Sequence, residues 1–164
     1  MPTLHANGID IHYRIEGSGP WVTLSHALTT DLSLWDGLAA VLAKRFTVLR
    51  YDTRGHGATS APPQPYDFEM LVADLLRLLD ALGVERTHFV GLSMGGMIGQ
   101  HFAVAAPTLV LVGADDPGTP PAASRAIAEA IPGARLEIIP SASHLSCLEQ
   151  EAVFNRLVAN FLAA

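Results

Sequence analysis

Five short runs constrain this chain more than anything else in it: WVTLSH (21–26), FTVLRYD (46–52), THFVGLS (87–93), TLVLVG (108–113) and RLEIIP (135–140). They are dense in apolar, often β-branched residues, as strands buried on both faces of a parallel sheet must be. Helical patterns fill the gaps, at about 33–44, 67–82, 95–105, 121–131 and 148–163. Strand and helix in alternation predict an α/β fold, a mostly parallel twisted sheet flanked by helices. IDIHYRIEG (9–17) alternates apolar with polar residues and pairs with TLHANG across Asn7-Gly8 as a hairpin, giving an antiparallel edge and about seven strands in all.

Local signals set the helix ends. Asp67 caps the second helix and Gly83 stops it, with Met70, Leu71, Ala73, Leu75, Leu78, Leu79 and Leu82 on its apolar face. Thr119 is the expected N-cap of the fourth helix, with Pro120 in its first turn. GATSAPPQPY (57–66) reads as a Pro-rich surface loop. With 164 residues, 49% of them hydrophobic and no dividing linker, the expectation is a single domain over 1–164.

Composition excludes some functions. A net charge of -6 without a basic run argues against a nucleic-acid partner. The first ten residues lack a secretory pattern, and no apolar run approaches the ~20 residues of a membrane span. Cys147 is the only cysteine, so no internal disulfide forms, and it reads as a small buried hydrophobe. A cytoplasmic protein without a membrane partner is the expectation. Neither a P-loop nor Gly-x-Gly-x-x-Gly occurs, and no cluster has metal-ligand spacing, so no cofactor or metal is expected.

The chemistry centres on GLSMG (91–95), which places Ser93 in Gly-x-Ser-x-Gly directly after a strand and before a helix. That is the context of a nucleophile elbow, where Gly91 and Gly95 give room for a strained turn. A serine hydroxyl needs a base, usually a histidine held by a carboxylate. Of seven histidines, His144 lies in the loop after the last strand and returns at the same carboxyl edge of the sheet as Ser93. Strand, edge or helix positions explain His5, His12, His88 and His101. Asp115 and Asp116, in GADDPGTPP, open at that edge too, and either is also an ordinary turn residue before Pro117-Gly118. For an oxyanion, the candidate donors are the amides of Met94, at the helix N-terminus, and Leu28, in the loop after WVTLSH. His26 and Ala27 would shape that loop, and Asp52, Arg54 and His56 would hold the following one.

These words together, SHALTTDLSLWDGLAAVLAKRFTVLRYDTRGHGATSAP, HFVGLSMGGMIGQHFA, PTLVLVGADDPGTPP and SHLSCLEQ, resemble the α/β-hydrolase superfamily and its 3-oxoadipate enol-lactonase branch. The resemblance implies Ser93 as nucleophile, His144 as base, and Leu28 and Met94 as oxyanion donors. It selects Asp116 as the acid, because the family's aspartate stands four residues before a proline, here Pro120. It also implies a small ester or lactone as substrate.

The departure from the family lies at the 106/107 junction. Family members continue after the elbow helix through another strand, a helical cap (lid) and a returning helix before reaching PTLVLVG. Here HFAVAAPTLV runs straight on. The missing piece starts and ends at the same sheet edge, so the chain can close without it. Direct pairing of TLVLVG with THFVGL would move Asp116 by up to about 4.8 Å. The expectation is a lidless, engineered minimal carboxylesterase with broad substrate use and residual enol-lactonase or acyl-transfer activity. The alternatives are a weak or inert scaffold, perhydrolase/haloperoxidase-type activity, and a naturally short chain. An uncovered mouth and a lost strand leave monomer and strand-exchanged homodimer both open.

Overall fold

The computed structural model describes residues 2–101 and 107–163. The chain divides into two compact units, residues 1–102 and 103–164. The expected seam at 106/107 falls at the edge of the segment outside the described residues.

The first unit holds five strands: β1 (Thr3–Ala6), β2 (Ile9–Gly17), β3 (Trp21–Ser25), β4 (Thr47–Tyr51) and β5 (His88–Gly91), hydrogen-bonded in the order β1-β2-β4-β3-β5. β1 and β2 form the expected hairpin, Ala6 opposite Ile9. Asn7 and Gly8 both have positive φ, 51° and 76°, as a type I′ turn demands. β2 runs antiparallel to β4, whereas β3 is parallel to both β4 and β5. The chain thus leaves β3 to one side for β4 and returns on its other side as β5, a reversal that opens a crevice at the carboxyl ends of β3 and β5.

Helices cover both faces of this sheet. Asp31 accepts from the Ser33 amide and caps a 3-10 turn, Leu32–Trp35, that leads into α1 (Asp36–Leu42). α2 (Phe68–Ala81) is capped by Asp67, whose carboxylate accepts from the Met70 amide, and Gly83 follows it at φ 68°. Its Leu71, Leu75, Leu78 and Leu79 bury against Ile9, Ile11, Leu49, Tyr51 and, from α3 (Met94–Gln100), Met94 and Ile98. Asp74 is buried on that same apolar face of α2, which hydrophobic periodicity alone does not anticipate. α3 ends at Gln100 with His101 as its C-cap, and residues 102–105 of the expected helix lie outside the described residues.

The second unit holds two parallel strands, β6 (Leu109–Gly113) and β7 (Arg135–Ile139), with α4 (Pro121–Ala130) between them in sequence. The seven expected strands are therefore present, in ladders of five and two. The cap of α4 differs from expectation: Pro120 occupies the N-cap and Pro121 the first turn, while the Thr119 hydroxyl donates to Asp116. The expected last helix is broken at Gln150 into α5 (Ser146–Glu149) and α6 (Glu151–Leu162). No helix among the described residues is long and apolar enough to cross a membrane.

Candidate active site

Ser93 sits where β5 meets α3, with φ 52° and ψ -115°. A non-glycine residue held there is strained by roughly 1–3 kcal/mol, and the surrounding packing must enforce it. The glycines show how. A Cβ on Gly91 would come within 2.3 Å of the Gly95 carbonyl oxygen, and a Cβ on Gly95 within 2.1 Å of the Ser25 carbonyl oxygen. Neither position admits a side chain, so strand and helix close tightly around the serine.

Pairing of β3 with β5 then places the Leu28 turn beside the elbow. Ser25 is opposite Gly91 at the ends of these two strands, and the Leu92 amide donates to the Ser25 carbonyl at 3.2 Å. Residues 26–28 and 92–94 therefore leave the sheet from adjacent positions. The Met94 amide belongs to the first turn of α3, whose N–H groups have no intrahelical acceptor and carry the positive end of the helix dipole. Leu28 is 60% exposed, and its amide makes no hydrogen bond to a described residue.

The second unit brings Asp116 and His144 together. His144 Nδ1 lies 2.9 Å from Asp116 Oδ2, the aspartate side chain being 4% exposed and the histidine 38%. The acceptor-only carboxylate fixes the neutral tautomer with its proton on Nδ1, leaving the Nε2 lone pair free to take a proton. Asp116 Oδ1 accepts from the amides of Gly118 (2.8 Å) and Thr119 (3.0 Å), and Oδ2 also accepts from the Thr119 hydroxyl at 2.7 Å. Burial opposes ionisation of this carboxyl, but the bonds from Thr119, His144 and Gly118 outweigh it and bring its pKa down to about 2. Asp115, the other sequence candidate, is exposed, and its amide bonds the Ala142 carbonyl.

The remaining histidines and the 52–60 loop have structural partners. Asp52 accepts from the amides of Leu32 (2.8 Å) and Ala58 (2.9 Å) and pairs with His12 Nδ1 at 2.7 Å. His12 is therefore buried rather than surface-placed, which corrects the edge-strand expectation: strand alternation turns it inward against an aspartate. Arg54 forms a two-pronged pair with Asp74, at 2.8 and 2.6 Å, and Asn7 adds a bond to the same carboxylate. His56 Nδ1 meets the Arg54 carbonyl at 3.0 Å. His5, His88 and His101 are exposed, the first paired with Asp10 and the last stacked on Phe68. Cys147 is buried, and that burial pushes its thiol up to about 11.

Residues 20–107, more than half of the sequence, match the family described as alpha/beta hydrolase fold. The chain belongs to that family. Residues 98–164 of this alpha/beta hydrolase match a second family, described as TAP-like protein. Among characterised relatives it is 39% identical over 107 residues to 3-oxoadipate enol-lactonase 2 of Acinetobacter baylyi, which covers 64% of this chain and 40% of that protein. To a putative carbamate hydrolase of Azorhizobium caulinodans it is 36% identical over 110 residues, 67% of this chain and 42% of that one. It thus spans well under half the length of either relative. Its fold is similar to the crystal structure of the enol-lactonase from Burkholderia xenovorans, at TM-score 0.97 and 29% identity, covering 99% of this chain and 100% of that one. A thermophilic esterase from Thermogutta terrifontis, at TM-score 0.90 and 21% identity over 98% and 96% of the two chains, shares the fold.

Two residues of this alpha/beta hydrolase's site escape a sequence reading. Gly113 ends β6, and a Cβ there would lie 2.3 Å from the carbonyl oxygens of both Ala142 and Ser143. Its bareness lets the 140–145 loop cross the end of β6 and carry His144 to Asp116. Thr119 looked like a helix cap, and its hydroxyl instead bonds the acid and lies 3.4 Å from His144 Nδ1. A glycine ending a strand next to an acidic loop was the only available hint.

Proposed function

We propose that this alpha/beta hydrolase cleaves small carboxylic esters through an acyl-enzyme on Ser93. The observation that carries the reading is the strained backbone of Ser93 at the junction of β5 and α3. Strain of this kind persists at a half-buried serine where it presents a nucleophile. The mechanism then runs on the chain's own groups. His144 Nε2 takes the Ser93 proton as Oγ attacks the carbonyl carbon, and Asp116 holds the imidazole in the required tautomer. The amides of Leu28 and Met94 donate to the developing oxyanion. Collapse of the tetrahedral intermediate expels the alcohol, which receives the proton from His144, and water repeats the sequence to release the acid.

Identity of 39% to an enol-lactonase over 107 residues supports an ester or lactone as substrate. The direct run from the elbow helix to β6 supports a core without a cap, with a shallow, wet site, broad substrate use and modest rates. The test is hydrolysis of short p-nitrophenyl esters by the full chain, with labelling by a fluorophosphonate. Both should vanish in Ser93→Ala. Hydrolysis that persists unchanged in that variant overturns the mechanism.

A further inference from the structure

We propose that His26 and Thr30 are positioning residues that aim the Leu28 amide by locking the peptide group it belongs to. This inference rests on the oxyanion role proposed above for that amide. The carbonyl of Ala27 and the N–H of Leu28 are two ends of one planar trans peptide and point in opposite directions. Fixing the direction of the carbonyl therefore fixes the direction of the amide.

The Ala27 carbonyl is held by three donors. His26 Nδ1 reaches it at 2.8 Å, the Thr30 hydroxyl at 2.8 Å and the Thr30 amide at 3.2 Å. One acceptor with three donors is more than a four-residue turn needs, since the Thr30 amide alone would close it. The turn passes through Thr29 at φ 65°, a conformation rare in a β-branched residue, so the local sequence does not favour this geometry by itself.

His26 can act as a fixed donor because its own ring is fixed. It is fully buried, and its Nε2 accepts from the Thr53 amide at 3.0 Å. An amide only donates, so Nε2 is unprotonated and the proton resides on Nδ1, facing Ala27. Burial lowers the pKa of this imidazole and keeps it neutral. The far end of the same turn is anchored independently, where the Leu32 amide meets the Asp52 carboxylate at 2.8 Å. The turn is thus tied at both ends to consecutive residues, 52 and 53, just past β4. Only the Leu28 and Thr29 side chains stand out from it, both exposed.

The test uses the full chain labelled with 15N, in which residual dipolar couplings report the direction of the Leu28 N–H. Thr30→Val removes the hydroxyl donor at nearly constant shape, and Thr30→Ser restores it. Thr30→Ala serves should the valine chain fail to fold. The expected result is a changed Leu28 coupling in Thr30→Val and a parental one in Thr30→Ser. Turnover of p-nitrophenyl acetate should fall in parallel by roughly 10-fold at unchanged KM, short of the ~10²–10³ for deleting an oxyanion donor outright. An unchanged coupling in the folded valine or alanine variant overturns the proposal. So does a changed coupling with full turnover in a chain that Ser93→Ala inactivates. Should Ser93→Ala instead retain activity, the serine mechanism fails, and the couplings still decide what holds the peptide.

Discussion

Asp116 Oδ2 accepts the Nδ1 proton of His144 at 2.9 Å while three further donors, all from Gly118 and Thr119, saturate the same carboxylate. The aspartate is thus a fixed, ionised hinge for the imidazole, and its surroundings specify which nitrogen of His144 carries the proton. Asp116→Asn keeps the shape but offers an amide where a carboxylate is required, favouring the wrong tautomer. Its kcat on p-nitrophenyl acetate should fall by on the order of 10⁴ with KM little changed. A loss under tenfold would remove Asp116 from the mechanism.

The same carboxylate makes stability depend on pH. Its folded pKa of about 2 lies below the ordinary aspartate value of 3.8, so folding is favoured by the ionised form. That contribution is complete above the unfolded value and is lost as pH falls through the folded one. Urea unfolding between about pH 5 and pH 2 should therefore show the gap between the parent chain and Asp116→Asn closing as acid is added. A gap constant across that window contradicts the assignment.

Gly113→Ala tests the loop crossing. A methyl group 2.3 Å from two carbonyl oxygens must push the 142–143 backbone away. His144 then moves relative to Asp116, and turnover should drop by at least ~10-fold, since misplacements near 1 Å cost about 10²-fold. Normal activity would mean that the loop relaxes without carrying His144 with it.

Arg54 and Asp74 form the buried pair that ties the loop after β4 to α2. Asp74→Asn leaves the guanidinium without its counter-charge and should destabilise the fold by ~3–5 kcal/mol in urea titrations. The double variant Arg54→Met/Asp74→Leu should lose less than Asp74→Asn, because no unpaired charge remains. Equal losses would mean that the pair's packing, and not its charge, is what matters.

A site without a cap should discriminate weakly among acyl chains. Across p-nitrophenyl acetate, butyrate and octanoate, kcat/KM should vary by less than about 10-fold, the scale of one methylene in an enclosed pocket. 3-Oxoadipate enol-lactone, run beside them, should be turned over no better than the simple esters. A sharp optimum at one chain length would argue for an enclosing pocket.

Much of this was legible in the residues because its causes are local. Strand β2 spans the same nine residues that alternation marks out, and Asn7-Gly8 supplies the left-handed turn that closes the hairpin. Asp67 caps α2 as a side chain three residues before an amide should. Gly-x-Ser-x-Gly between strand and helix carries its geometry within five residues. Contacts between distant segments were not legible. His12 looked like an edge residue until β2 came to lie against β4 and Asp52. Asp74 broke the apolar face of α2 for a reason 20 residues away, in Arg54. Thr119 reads as a helix cap, and the position of Asp116 turned its hydroxyl to the acid instead.

The sequence by itself determined the α/β pattern, the elbow at Ser93 and the family, because each rests on residues adjacent in the chain or on periodicities of two and 3.6. Tertiary structure alone decided how closely Asp116 approaches His144, which nitrogen of His26 bears its proton, and where the Leu28 amide points. Those choices depend on hydrogen-bond partners 20 to 28 residues apart, and only a folded backbone fixes distances of that kind to within an ångström.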